Sequence, residues 1–196
     1  MGSEEIKRMH TEKSHGMDFS LIEGTKGLFD GISTDGADSN AELASLLKSN
    51  VLLVIDCEGI TRGIAPLLEG YKSFGKKLKL DRVILNNVST SRHESKLVSA
   101  ISRYTDFRVV GVIPSIKNFI VERHLGLVPT FQHPQKKKVL SSLVSIIRNN
   151  TDYKKLFPLR CKSQKKVIKP RVTKKKNPLV VGVASDAAFG FYYPDD

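Results

Sequence analysis

A chain of 196 residues, 40% of them apolar, is long enough for one ordinary α/β domain with a remnant, or for two very small domains. Its longest uninterrupted apolar run, Val51 to Ile55, falls far short of the about 20 residues that a membrane-spanning helix needs, and the polar segment 1–18 lacks the apolar core of a signal peptide. The net charge of +12 points to nucleic acid until it is located: Lys154 to Ser185 holds eleven basic and no acidic residues, leaving only +1 for the rest.

In chain order, Phe19–Ile22 is predicted to be a short strand, and it leads directly into Glu23-Gly-Thr-Lys-Gly-Leu-Phe-Asp-Gly31. In open α/β sheets, ligands sit outside the carboxyl ends of the strands. Glycine there lets the backbone turn and approach a phosphate closely. A carboxylate at that place, Glu23, can hold Mg2+ directly or through water, with Asp30 as a second acid on the same loop. Two solvated acids on a polar loop are the plain alternative. Ser39 opens a helix through Leu47, with Ser39 or Asn40 as its N-cap. Val51–Ile55, apolar and rich in β-branched residues, fits a central parallel strand. Thr61–Phe74 carries a helical stripe through Ile64, Leu67, Leu68 and Tyr71. Val83–Leu85 is the next strand, Arg92–Tyr104 a helix burying Leu97, Val98 and Ile101, and Val109–Ile113 a fourth strand. Alternation of this kind predicts an α/β fold with a parallel, doubly wound sheet.

Residues 115–134 read as irregular, with a helical turn around Asn118–Glu122. Lys136 to Asn149 is amphipathic through Val139, Leu140, Leu143 and Ile147, and a shorter helix is expected near Asp152–Leu156. Residues 159–178 form a basic linker without helical period. No aromatic residue interleaves Arg160 to Pro178 to stack on bases, so nucleic acid is disfavoured as a partner despite the charge. Leu179–Ala184 reads as a fresh strand, opening a unit that Asp196 cuts short.

Several residues are candidates for chemistry. Asp56 follows a strand, so it faces the crevice or caps a helix, and Arg62 can pair with it or with phosphate. Asn86, at another strand end, offers both donor and acceptor to a base edge; a turn-stabilising role, and the neighbouring Asn87, leave that assignment open. Arg123 and His124 lie in the irregular segment, where functional residues concentrate, with a structural role as the alternative. Arg92 and His93 are expected to cap and solvate a helix start. The sequence contains no Gly-x-x-x-x-Gly-Lys-Ser/Thr loop. Cys57 and Cys161 form no metal-binding spacing and suit a reduced, cytoplasmic protein.

Six segments in order resemble the cobyrinic acid a,c-diamide synthases and their hydrogenobyrinic acid and nickel-sirohydrochlorin relatives. They are the Glu23–Gly31 loop; Ser39-Asn40-Ala41-Glu42-Leu43-Ala44, with Asn40 where threonine is usual; and Val54-Ile55-Asp56 with Gly59 and Arg62. The others are Val83-Ile84-Leu85-Asn86 with Arg92-His93; Glu122-Arg123-His124-Leu125-Gly126-Leu127-Val128-Pro129; and Val181 to Asp195 with its Phe191-Tyr192-Tyr193-Pro194-Asp195 ending. The resemblance implies a sheet of the P-loop NTPase and dethiobiotin synthetase type, incomplete at its N-terminal edge. Segment 19–158 would be the C-terminal part of an ATP-binding amidoligase domain. Segment 179–196 would open a class I glutamine amidotransferase domain, the P-loop unit and the cysteine nucleophile lying outside this chain. It further implies ATP and Mg2+ as cofactors, and cobyrinic acid or a related tetrapyrrole together with glutamine or ammonia as substrates. Glu23 becomes the Mg2+ ligand, Asp30 the acid near the substrate carboxylate or the phosphorylated intermediate, and Asn86, Asp56, Arg62, Arg123 and His124 the nucleotide-facing set. Phe189, Tyr192 and Tyr193 are expected to pack between domains. A homodimer, a nickel-sirohydrochlorin substrate and a non-catalytic nucleotide-binding module stay open. Alone, residues 1–196 are expected to give no measurable amidation and very weak ATP binding.

Overall fold

Three of the apolar runs pair edge to edge as parallel strands, and the chain returns between them through helices. The computed structural model describes residues 2–75, 77–116, 136–156 and 182–184. Ahead of the sheet, the polar N-terminus forms helix α1, Ser3–Ser14. Composition gave no sign of it; Glu4 and Glu5 favour its positive end, and Lys7–Glu4 and Arg8–Glu12 pair along its surface at 2.8 and 2.9 Å. Helix α2 follows at Asn40–Leu46, capped by Ser39, whose Oγ accepts the Glu42 N–H at 3.2 Å.

The sheet consists of β1, Asn50–Asp56, β2, Lys79–Val88, and β3, Arg108–Pro114, in the order β1-β2-β3. Helix α3, Ile64–Phe74, joins the first pair and α4, Ser91–Tyr104, the second. The α/β class and the parallel pairing are as the sequence predicts. Strand β2 extends well beyond Val83–Leu85 because it is paired on both edges, which recruits its polar flanks into the ladder. Leu53, Ile55, Val83 and Leu85 on one sheet face pack with Ile64 and Leu68 of α3 and Leu97 and Ile101 of α4. Leu67, expected in the buried stripe of α3, is 38% exposed.

The free edge of β3 is covered by residues 150–156. Thr151 bridges Gly111, the Asp152 N–H donates to the Val110 carbonyl at 2.8 Å, and Arg82 Nη1 reaches the Leu156 carbonyl of α6, Tyr153–Leu156, at 3.1 Å. Gly111 permits this approach, since a Cβ there would sit 2.7 Å from Thr151 Cγ2 and 3.2 Å from the Asn150 carbonyl. At the other edge Val54 is 61% exposed on β1.

Two predicted strands are not found: Phe19–Ile22, and Leu179–Ala184 over its described residues 182–184. Without the first, the sheet has three strands rather than four among the described residues. Four residues, three of them apolar, cannot hold an extended conformation without a paired neighbour; Leu21 is 81% exposed. Glu23 therefore does not end a strand. The chain divides into two units, the first containing described residues 2–75, 77–115 and 150–156 and the second 116, 136–149 and 182–184. Most of α5, Lys136–Asn150, belongs to the second, with Leu140, Val144 and Ile147 on its surface. Arg123, His124, their eight-residue motif, the basic linker and nearly all of the 179–196 segment lie outside the described residues.

Candidate functional site

The glycine loop is closed by the start of α2. Asn40 Nδ2 donates to the Lys26 and Gly27 carbonyls at 2.8 and 3.4 Å, and the Ala41 N–H to the Leu28 carbonyl at 2.8 Å. Asn40 is thus a loop latch, which is why Ser39 is the cap. Gly31 is required by a neighbouring acid held in place by backbone amides, whereas Gly27 faces only the far end of the exposed Asp30 side chain, which can turn aside. A Cβ on Gly27 would collide with the Asp30 carboxylate, and one on Gly31 would stand 3.0 Å from Asp38 Cγ. Phe29 anchors the loop, stacking on Tyr71 at 5.7 Å and meeting Phe74 edge-on at 4.8 Å. Helix α3 runs back from the carboxyl end of β1 to the amino end of β2, so Phe29 is seated toward the amino edge of the sheet.

Asp38 accepts the Ile32 and Ser33 N–H groups at 2.8 and 3.1 Å, and Lys26 stands 3.7 Å away. The two backbone bonds, Ile32 first, hold its carboxyl below the ordinary aspartate value of 3.8. A depressed carboxylate stabilises the loop fully above that ordinary value and loses its effect as pH falls through the lower folded value. The Ile32 and Ser33 amide resonances are therefore expected to move together on acidification, with a shared midpoint below 3.8. A shared midpoint above 3.8 would contradict this.

At the carboxyl edge, Asp56 pairs in register with Asn86. Asp56 Oδ1 accepts the Glu58 N–H and the Asn87 Nδ2, both at 3.0 Å. Those bonds, Glu58 first and Asn87 second, hold this exposed carboxyl below its usual range. Asp56 does not cap a helix, since its bond to Glu58 closes a turn of its own loop and the N-cap of α3 is Gly63; it lies at the open carboxyl edge. The Asn86 carbonyl accepts the Cys57 N–H at 2.8 Å, and its side-chain amide makes no hydrogen bond among the described residues. Cys57 is fully buried; burial pushes its thiol up, the Asp56 charge adds to this, and its Sγ donates to the Ile55 carbonyl at 3.4 Å. Arg62 does not pair with Asp56. Its guanidinium lies over the Tyr104 ring, 5.2 Å from the centroid.

Beside this edge, the β1–α3 and β2–α4 loops enclose an open cavity of about 300 Å³, lined by Gly59, Ile60, Thr61, Ser89, Thr90, Arg92, His93 and Lys96. His93 ties the two loops together. Its Nε2 lies 2.6 Å from the Ile60 carbonyl, and its Nδ1 3.3 Å from the Ser89 nitrogen and 3.1 Å from Ser89 Oγ. A carbonyl can only accept, so Nε2 carries the proton and Nδ1 accepts the Ser89 N–H. Thr90, three residues earlier, caps α4 by accepting the His93 N–H at 3.1 Å. Sequence reasoning missed Thr90 and the role of Asn87, although Thr-x-x-His has the spacing of a capping box.

The structure thus gathers Asp56, Asn86 and Asn87 at one edge, with Arg92 and His93 in the adjoining cavity. It holds Glu23 and Asp30 on the separate glycine loop. Among the described residues no three His, Cys, Asp or Glu side chains cluster as a metal site. Mg2+ does not require such a cluster, because it keeps several waters and takes its other oxygens from one or two carboxylates and substrate phosphates. No described helix is long and apolar enough to cross a membrane.

A family model described as AAA domain matches residues 3–123. Among curated proteins, the cobyrinate a,c-diamide synthase of Magnetococcus marinus is 37% identical over 100% of this chain and 44% of its own length. That of Limosilactobacillus reuteri is 34% identical over 97% of the chain and 42% of its own. The one from Caldanaerobacter subterraneus subsp. tengcongensis is 33% identical over 100% and 43%. The chain spans less than half the length of these relatives. No solved structure matches significantly. Identity along the whole chain agrees with the six ordered motifs, so the resemblance to the cobyrinate a,c-diamide synthases holds throughout. A match covering more than half of the residues, on a parallel sheet with its polar groups at the carboxyl edge, means that the chain belongs to the AAA domain family.

Proposed function

We propose that the chain is part of an ATP-dependent amidoligase that converts the a- and c-side-chain carboxylates of cobyrinic acid to amides, in the cytoplasm, during corrinoid biosynthesis. The observation that carries this reading is identity of 33–37% to cobyrinate a,c-diamide synthases along all or nearly all of the chain.

A carboxylate resists attack by ammonia because its charge repels nucleophiles and oxide is a poor leaving group. Activation removes both obstacles. A substrate carboxylate oxygen attacks the γ-phosphorus, the bond from that phosphorus to the ADP oxygen breaks, and an acyl phosphate forms. Ammonia released from glutamine then adds to the acyl carbon, loses a proton, and expels inorganic phosphate. Mg2+, when bound, supplies positive charge to the phosphate oxygens during the transfer. Glu23 is its ligand in this reading; hard carboxylate oxygens on a glycine-rich loop fit that ion. Asp30 lies near the substrate carboxylate or the phosphorylated intermediate in this reading. The amide of Asn86, without a partner among the described residues, suits the adenine edge. Asp56, Arg123 and His124 face the nucleotide in this reading, and Arg62, whose guanidinium lies over the Tyr104 ring, would reach a phosphate only by leaving it.

The test is product mass spectrometry on the longest polypeptide that carries residues 1–196, given ATP, Mg2+, glutamine and each tetrapyrrole in turn. The expected product is the a,c-diamide of cobyrinic acid, formed only with ATP. Amidation of nickel-sirohydrochlorin alone would replace the substrate, and amidation of none of them would overturn the proposal.

A further inference from the structure

We propose that Asn87 is the positioning residue for Asp56, carried into place by a bulge in β2 so that its amide fixes which carboxylate oxygen faces outward. Three features of the backbone converge on it. Between Leu85 and Val88, β2 advances three residues while β3 advances two, from Val112 to Pro114. An odd separation of three would put Leu85 and Val88 on opposite faces of a regular strand, yet both are buried in the same core. The extra residue of the bulge reconciles the two. Towards β1 the register stays continuous through Asp56 and Asn86, so the bulge is felt only on the β3 side. Finally, Asn87 has φ +58°, in the left-handed region that non-glycine residues rarely enter and asparagine tolerates.

The bulge turns the Asn87 side chain across to the neighbouring strand, where Nδ2 donates to Asp56 Oδ1 at 3.0 Å. The Glu58 N–H uses the same oxygen. Oδ2 accepts no hydrogen bond among the described residues and is the oxygen left for a ligand. The groups around Asp56 are few: Glu58 and the buried thiol of Cys57 on its own loop, and the neutral Asn86 and Asn87 from β2. Arg62 is engaged with Tyr104. The bond from Asn87 is among the causes that hold the Asp56 carboxyl down. That Oδ2 turns to a nucleotide rests on the proposed amidoligase reading; the positioning itself does not.

The experiment is a carboxyl ¹³C NMR titration of Asp56 in the full chain. Asn87→Gly keeps the left-handed backbone accessible and removes only the amide. The Asp56 midpoint is expected to rise toward the ordinary aspartate value while the amide spectrum of β2 and the core is retained. Asn87→Asp keeps the backbone preference and replaces a donor with a like charge, so its midpoint is expected to rise further than in the glycine variant. Should the glycine variant lose the folded spectrum, the aspartate variant decides. An Asp56 midpoint unchanged in the folded variants reduces Asn87 to a bulge residue and overturns the inference. A raised midpoint together with no amide product from the longest polypeptide would leave the positioning intact and remove the amidoligase reading instead.

Discussion

Leu85→Ala is expected to lower folding stability by about 3 kcal/mol, within the range of about 2–5 kcal/mol for emptying a buried leucine site. Leu85 is 0% exposed at the centre of β2, the only described strand paired on both edges. Val83, Ile55 and Leu97 belong to the same cluster, and the ladders on either side prevent the backbone from collapsing into the void. Against a typical total of about 5–15 kcal/mol, such a loss brings the domain close to its unfolding threshold. Leu67→Ala is the control. Its side chain lies on the outer surface of α3, and the change should stay within about 1 kcal/mol. Urea unfolding of both variants measures the difference; equal midpoints would contradict the assigned core.

Glu23→Gln is expected to lower kcat/KM for ATP-dependent amidation at least about 100-fold in the longest polypeptide carrying the chain. Metal-ion charge stabilisation of phosphoryl transfer is worth several kcal/mol, and each 1.36 kcal/mol is about tenfold in rate. Glutamine preserves the shape of the side chain but removes the anionic oxygen that a hard cation prefers. Glu23 is exposed, so folding stability should change by no more than about 0.5 kcal/mol. Raising Mg2+ should recover part of the lost rate. A variant with unchanged kcat/KM at limiting Mg2+ would remove Glu23 from the site.

The fold was legible where hydrophobic periodicity matched a paired element. Val51–Ile55 and Val109–Ile113 lie within β1 and β3, and the α4 stripe through Leu97 and Ile101 is buried as expected. The Phe19–Ile22 run failed because a strand is a property of a pair, and three apolar residues among four do not announce whether a partner is present. Helix α1 was invisible for the opposite reason. It has no apolar face to bury, and charge pairs such as Arg8–Glu12 are a weak signal in sequence. In the site, Asp56 ends β1 next to the predicted run, whereas Asn86, expected at a strand end, lies inside β2 because that strand continues to Val88. Asn87 was only a source of ambiguity, since a bulge and a left-handed φ arise from register between strands and leave no mark beyond an Asn-Asn pair. The Asp56 partner expected for Arg62 from proximity in sequence is not the one formed, since its guanidinium finds the Tyr104 ring.

The proposed acyl phosphate can be followed by the oxygen it transfers. Cobyrinic acid labelled with ¹⁸O in its a and c carboxylates, converted by the longest polypeptide that carries residues 1–196, should yield inorganic phosphate bearing one substrate oxygen for each amide formed. Amide formation with unlabelled phosphate would mean that the carboxylate is never phosphorylated, and it would contradict the proposed mechanism at its first step.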